Sequence, residues 1–195
     1  MADYRIAPVS EDLRKQVRAM INAKTKPLGS LRQIEKLALN MALSQNTAEP
    51  GGRTTLLLCA GDHGLVAEGV SAWPSEVTAQ MVMNFLNGGA AANVFARAAG
   101  AEIRIIDAGV SAPLPDDAKL LRTGIRAGTR NALKEDAMTA DEVEAALTFG
   151  GDAAAEAVAN GADVIALGEM GIGNTSSAAL LAHVVTGASL EALVG

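Results

Sequence analysis

Residues 163–175 read DVIALGEMGIGNT. The run Asp163–Leu167 is short, apolar and continuous, which predicts a buried parallel strand. It ends in a turn carrying Gly168, Gly171 and Gly173, and a helical pattern follows to about Val185. The same sequence pattern occurs twice upstream. Thr54–Ala60 is a continuous apolar run that empties into Gly61-Asp62-His63-Gly64, and Glu102–Asp107 closes on Asp107-Ala108-Gly109. Between them, Pro74-Ser75-Glu76 opens a predicted helix from about Glu76 to Asn87, with Val77, Met81 and Phe85 on one stripe. Gly88-Gly89 breaks it, and a second helix covers Ala90–Ala99. Thr139 and Glu142 form a capping box for a helix reaching about Ala159. Strands that alternate with helices and end in Gly-, Asp- or Glu-bearing loops define an α/β fold. The expected architecture is an open, mainly parallel Rossmann-like sheet flanked by helices, with ligands at the carboxyl ends of the strands. Three strands are few for such a sheet. Either the 116–131 stretch supplies another, or part of the protein is missing.

Upstream of the sheet, residues 10–46 read as two helices broken near Lys26-Pro27-Leu28-Gly29. Ser30 and Gln33 are spaced as a capping box for the second, and Leu31, Ile34, Leu37, Ala38 and Met41 recur at helical spacing. Thr47–Arg53 is a polar linker containing Pro and Gly. The expected division is a small helical region over 1–50 and an α/β domain over 51–195.

Composition removes several classes of function. The 195 residues carry 16 Lys plus Arg against 22 Asp plus Glu, a net charge of −6, which argues against sequence-independent nucleic-acid binding. A hydrophobic content of 49% excludes disorder, while 3% aromatics points to small aliphatic packing and backbone-lined sites. Cys59 is the single cysteine and the two histidines, His63 and His183, are far apart in sequence. No internal disulfide is possible, and neither a metal site nor a cofactor is expected. Positions 1–20 lack the apolar core of a signal peptide, and no run nears the roughly 18 apolar residues of a membrane span. A cytoplasmic protein without membrane contact is the expectation.

The strongest motif is Gly168–Thr175. Glycines at a strand-to-helix turn let backbone amides approach an anion, and the helix adds the positive end of its dipole. The alternative is a tight turn that needs glycine for its backbone angles. The motif lacks the lysine of a Walker A loop, and Ser176 occupies the third glycine position of a dinucleotide fingerprint. Glu169 within the turn would be repelled by a phosphate, so it either faces a ribose hydroxyl or base ring, or is a solvated loop carboxylate. Asp62 and His63 follow a strand end and suit acid–base work, or hydrogen bonding to a neighbouring loop. Trp73, Met81, Met83 and Phe85 read as core packing, or as a slot for a flat ring with Gln80 beside it. His183 reads as an interior or interface histidine, and Cys59 as a small buried apolar residue.

Longer blocks carry a resemblance. Ala60–Ser71 (AGDHGLVAEGVS), Pro74–Gln80 (PSEVTAQ), Asn84–Asn93 (NFLNGGAAAN), Ile106–Val110, Gly128-Thr129-Arg130-Asn131 and above all Gly168–Thr175 closely resemble nicotinate-nucleotide:dimethylbenzimidazole phosphoribosyltransferases. So does Lys26-Pro27-Leu28-Gly29-Ser30-Leu31. The resemblance implies metal-free transfer of 5-phosphoribose from nicotinate mononucleotide to 5,6-dimethylbenzimidazole, with inversion, in assembly of the cobalamin nucleotide loop. It implies a homodimer with a parallel-sheet large domain and a small helical one. Carried over by position, Gly171, Gly173, Asn174 and Thr175 would cradle the phosphate. Glu169 would lie beside the ribose and nicotinate, and Met170 would wall the base pocket. Gln80 would line the benzimidazole pocket with Ala72, Met83 and Phe85 nearby. Trp73, at a position commonly Tyr, would supply an aromatic wall, and Asp62 and His63 would shape the floor. Family members continue past the point matching Gly195, and their general-base glutamate and phosphate-side lysine lie there. The resemblance therefore implies a truncated or proteolysed enzyme, in which Glu169 would stabilise positive charge at the anomeric carbon. Two other readings stay open: a nucleotide- or base-binding module lacking the general base, and a dinucleotide binder. Against the latter stand the incomplete fingerprint and the fact that no strand end carries an acid about 20 residues after the glycines.

Overall fold

In the computed structural model, residues 7–194 are described; residues 1–6 of the expected helical region and Gly195 of the expected domain lie outside them. The chain forms two compact units that divide between Arg53 and Thr54.

The first unit holds α1 (Glu11–Asn22) and α2 (Gln33–Ser44). Ser10 caps α1, its hydroxyl accepting from the Leu13 amide at 3.2 Å, with Glu11 and Asp12 in the first turn favoured by the helix dipole. The capping box expected from Ser30 and Gln33 does not form. Pro27 and Gly29 instead set up two successive turns, closed by Ser30 N–H to Pro27 O and Arg32 N–H to Gly29 O, each 3.1 Å. Helix α2 then starts only at Gln33, after Arg32 at φ 45°. Glu35 takes over the capping role: its carboxylate accepts from the Leu31 amide at 3.1 Å and pairs with Lys26 at 2.9 Å. Leu31, Ile34 and Leu37 face solvent.

The second unit is built on four parallel strands. In chain order they are β1 (Thr54–Gly61), α3 (Glu76–Leu86), α4 (Ala91–Ala99), β2 (Glu102–Gly109), β3 (Leu120–Arg122), α5 (Ala140–Ala159), β4 (Val164–Met170), α6 (Asn174–Thr186) and the short α7 (Leu190–Leu193), with one 3₁₀ segment at Gly64–Glu68. The sheet order is β3-β2-β1-β4, so the 116–131 stretch does supply the extra strand. Leu57 pairs in register with Arg104 of β2 and Leu167 of β4.

Strand alternation sends neighbouring residues to opposite faces. Leu58, Ala60 and Ile105 pack with Val82, Phe85, Leu86 and Ala90 from α3 and the start of α4. Leu57 and Ile106 pack on the other face against Ala153, Ala157 and Ala162. Helices therefore cover both faces at β1 and β2, which is why β1 reads as an unbroken apolar run, whereas β4 is not the buried strand expected: it has no fully buried residue, and Leu167 is 83% exposed. Val82 and Ile106 are almost fully enclosed, each contributing about 1.5–3 kcal/mol. The buried stripe of α3 is Thr78, Val82, Phe85 and Leu86, displaced from the expected Val77–Met81–Phe85 line. The Thr139–Glu142 box forms in full, with bonds of 2.7 and 3.2 Å.

Candidate active site

The chain leaves β1 toward β2 and β3 on one side and returns to place β4 on the other. A crevice opens at such a switch point, beyond the carboxyl ends of the strands. Here the exits of β1 and β4 meet in a cleft of about 230 Å³.

Glycine builds the β1–β4 wall. A Cβ at Gly171 would collide with the Gly61 carbonyl oxygen and come within 3.0 Å of His63 Nε2. Gly173, at φ +84°, leaves only 2.6 Å between a would-be Cβ and Val66 Cγ2. Both the left-handed backbone and the close approach exclude other residues. Three amides of the turn are engaged internally. Ile172 N–H donates to the buried Thr78 hydroxyl at 3.1 Å, Asn174 N–H to Gly171 O at 3.0 Å, and Thr175 N–H to Asn174 Oδ1 at 2.8 Å. Glu169 is not inside this turn, because β4 extends through Met170. It sits exposed at the strand end, accepting from Asn174 Nδ2 at 2.5 Å.

Asp62 is 5% exposed. Its Oδ2 accepts from the Ser111 amide at 2.7 Å, its own amide donates to Gly109 O at 2.9 Å, and its carbonyl accepts from Thr129 N–H at 2.9 Å. The side chain fastens the loop after β2 to the end of β1. His63 lines the cleft, with Nδ1 2.9 Å from Ser177 Oγ on α6. Burial holds its imidazole below the ordinary value of 6.5, against the opposing pull of Glu169 and Asp62. At neutral pH it is an uncharged ring that couples the β1 exit to the first turns of α6.

The opposite wall comes from residues 108–138 and is held by polar contacts. Arg126 Nε donates to Gly128 O at 2.6 Å. Arg130 forks onto Glu142 at 2.6 and 3.0 Å. That hydrogen-bonded pair, with the Thr139 amide, lowers the Glu142 carboxyl to about 2. Asn131 and Lys134 both reach Glu68, at 2.6 and 3.0 Å, tying this loop to the 3₁₀ segment.

Of the expected site residues, Asp62, His63, Glu169 and Met170 line the cleft, and Gly171, Gly173, Asn174 and Thr175 form the adjoining turn. The expected ring slot is not assembled with them. Ala72 and Trp73 border a separate shallow depression beside Val66 and Pro74, and Trp73 is 66% exposed. Gln80 and Met83 share the exposed side of α3, whereas Phe85 is buried in the core. At 100° per residue, position 85 lies about 140° round the helix from position 80, so the two cannot line one pocket. His183 is exposed rather than interior, bonding Ala188 O through Nδ1 at 2.6 Å in the last turns of α6. Cys59 is half-buried on the cleft, and burial pushes its thiol up. The motif reading missed Arg126, Ser177 and Thr78. Only Thr78 left a signal, as a polar residue on the buried stripe of an apolar helix.

A parallel sheet flanked by helices, with a glycine-walled cleft at its switch point, defines an α/β protein of the class that takes its ligand at the strand ends. Comparison with known proteins makes the assignment specific. A family profile described as "Phosphoribosyltransferase" matches residues 6–195. The chain is 49% identical over 191 residues to nicotinate-nucleotide–dimethylbenzimidazole phosphoribosyltransferase of Cupriavidus taiwanensis, covering 97% of this chain and 55% of that protein. The Thermus thermophilus enzyme of the same name is 48% identical over 181 residues, covering 92% and 54%. The crystal structure of CobT from Thermus thermophilus superposes with a TM-score of 0.88 at 46% identity, covering 94% of this chain and 56% of that one. The chain belongs to this phosphoribosyltransferase family, and it spans about half the length of the relatives it matches. Among the described residues, no helix is long and apolar enough to cross a membrane.

Proposed function

We propose that this chain takes part in transfer of the 5-phosphoribosyl group from nicotinate mononucleotide to 5,6-dimethylbenzimidazole, giving α-ribazole 5′-phosphate and nicotinate. The observation that carries the reading is the glycine-built β4–α6 turn, packed onto the end of β1 with Glu169 at the mouth of the cleft. The start of α6 offers a phosphate its positive dipole end and amides that can exchange their internal acceptors. In the reaction a ring nitrogen of the benzimidazole forms a bond to the anomeric carbon. The bond to the pyridinium nitrogen breaks, and nicotinate departs with that electron pair. The N–H proton of the resulting benzimidazolium passes to a carboxylate base or to water. Since the leaving group is already cationic, it needs little acid assistance. The work left to the protein is alignment and stabilisation of positive charge at the anomeric carbon, which we assign to Glu169. Gln80, Met83, Ala72 and Trp73 are proposed to meet the flat base once it is bound, without Phe85. We propose a cytoplasmic homodimer with a small helical region (1–50) and a phosphoribosyltransferase domain (51–195), the dimer to be checked by light scattering.

The test is nicotinate release from nicotinate mononucleotide by this chain, with and without dimethylbenzimidazole. Base-dependent release is expected, and Glu169→Gln should reduce turnover far more than mononucleotide affinity. Binding of both ligands without release would favour a base- and nucleotide-binding module. Failure to bind either would overturn the assignment.

A further inference from the structure

We propose that Arg126 recognises the pyridine carboxylate of nicotinate mononucleotide and so sets selectivity for nicotinate over nicotinamide, an inference that rests on the function proposed above. Among the described residues, Arg126 is the one Arg or Lys lining the cleft, which also holds the acidic side chains of Asp62 and Glu169. Its Nε is fixed to Gly128 O at 2.6 Å, which sets the plane of the guanidinium. Its Nη1 lies 3.7 Å from Glu142, outside good hydrogen-bond distance. Both Glu142 oxygens are already taken by Arg130 and the Thr139 amide. The guanidinium is thus oriented, yet its terminal N–H groups are left to bind something else, and its side chain is one-third exposed.

The topology says which anion this is. Nicotinate mononucleotide has two anionic ends, a phosphate and a ring carboxylate. The glycine turn follows β4, whereas Arg126, in the loop after β3, lies against Gly109 at the end of β2, its carbonyl oxygen 2.7 Å from where a Cβ on Gly109 would stand; the two flank β1 from opposite sides. Strands β4 and β2 stand two strand spacings apart, roughly 10 Å, which suits a ribose phosphate joined to one ring. With the phosphate at the α6 terminus, the ring end points toward Arg126. A planar guanidinium matches a carboxylate as a two-pronged, charge-assisted contact. A carboxamide in the same place is neutral and turns N–H donors toward other donors, so the site discriminates against it.

Nicotinate mononucleotide and nicotinamide mononucleotide share the ribose and phosphate and differ only at this group. Calorimetric titration of the chain with each tests the assignment. Wild type should prefer the nicotinate form by about tenfold or more, the scale of one charge-assisted contact. Arg126→Gln should erase that preference by weakening the nicotinate form alone, leaving the nicotinamide form within about twofold of wild type. Arg126→Lys should keep part of the preference, and thermal unfolding of both variants should report intact folds. Equal weakening of both ligands by Arg126→Gln would overturn the inference, because Arg126 would then be serving the phosphate or the loop. So would a preference that survives the substitution. A wild-type chain that binds neither mononucleotide would instead remove the proposed function, and this inference with it.

Discussion

The two walls of the cleft are specified by different physics. On the β1–β4 side the geometry is steric: Gly171 and Gly173 let the β4 exit close on the end of β1, and any Cβ at 171 or 173 would meet main chain or Val66. On the opposite side the loop between β2 and α5 has little regular structure. It is held by Asp62 on Ser111, Arg130 on Glu142, and Asn131 with Lys134 on Glu68. The first wall is made by what is missing from its side chains, the second by polar groups that meet across long stretches of chain. A sterically built wall should fail abruptly under one added methyl group. A polar wall should lose stability in portions, some of them dependent on pH.

The largest effect is expected from Gly171→Ala. The new methyl group meets the Gly61 carbonyl, which cannot move without disturbing β1. A loss of about 3 kcal/mol, or about 10 °C in Tm, should appear in thermal unfolding together with lost mononucleotide binding. An unchanged Tm would mean that the two strand exits are not in tight contact. Asp62→Ala tests the thread between the walls. It leaves the Ser111 amide without its acceptor but also removes a buried Oδ1 that has no partner. The net cost should be about 1–2 kcal/mol, with faster amide exchange confined to residues near 109–111 and 128–129. Exchange that rises evenly through the sheet would show that Asp62 stabilises the fold at large.

This contrast also explains what could be read from the sequence. Strands β1, β2 and β4 and the Thr139–Glu142 cap were legible because continuous apolar runs and a four-residue box are local signals. The cleft wall holding Asp62, His63 and the glycine turn was legible because it lies directly at the strand ends. Strand β3 is three residues long, too short for any period to register. The Ser30 cap failed because a turn set by Pro27 and Gly29 and a carboxylate from Glu35 displaced it. The resemblance puts Phe85 near the base pocket with Gln80 and Met83, whereas the helix rotates it into the core. Arg126 carried no motif, since its role depends on Gly128 and Glu142 in the folded loop.

The polar wall offers a smaller, pH-dependent test. Glu142 has a folded-state value of about 2 against an ordinary 4.5, so the native state binds fewer protons than the unfolded chain between those values. Its stabilising contribution is fully present above about pH 4.5 and is lost as pH falls toward 2. The Tm difference between wild type and Glu142→Gln should therefore shrink steadily across that window. A difference that stays constant would mean that the Arg130 contact does not depend on charge.

The smallest effect runs in the opposite direction and separates steric glycines from incidental ones. Gly150 lies exposed within α5 with ordinary helical angles, and a Cβ there meets nothing within 4 Å. Glycine inside a helix costs about 1 kcal/mol relative to alanine, mainly through the freedom it gives the unfolded chain. Gly150→Ala should therefore raise Tm by about 2–4 °C while mononucleotide affinity stays the same. The same substitution, glycine to alanine, would then stabilise the protein at 150 and break it at 171. That opposition would locate the steric demand in the cleft wall itself, because glycine content alone predicts the same sign at both positions.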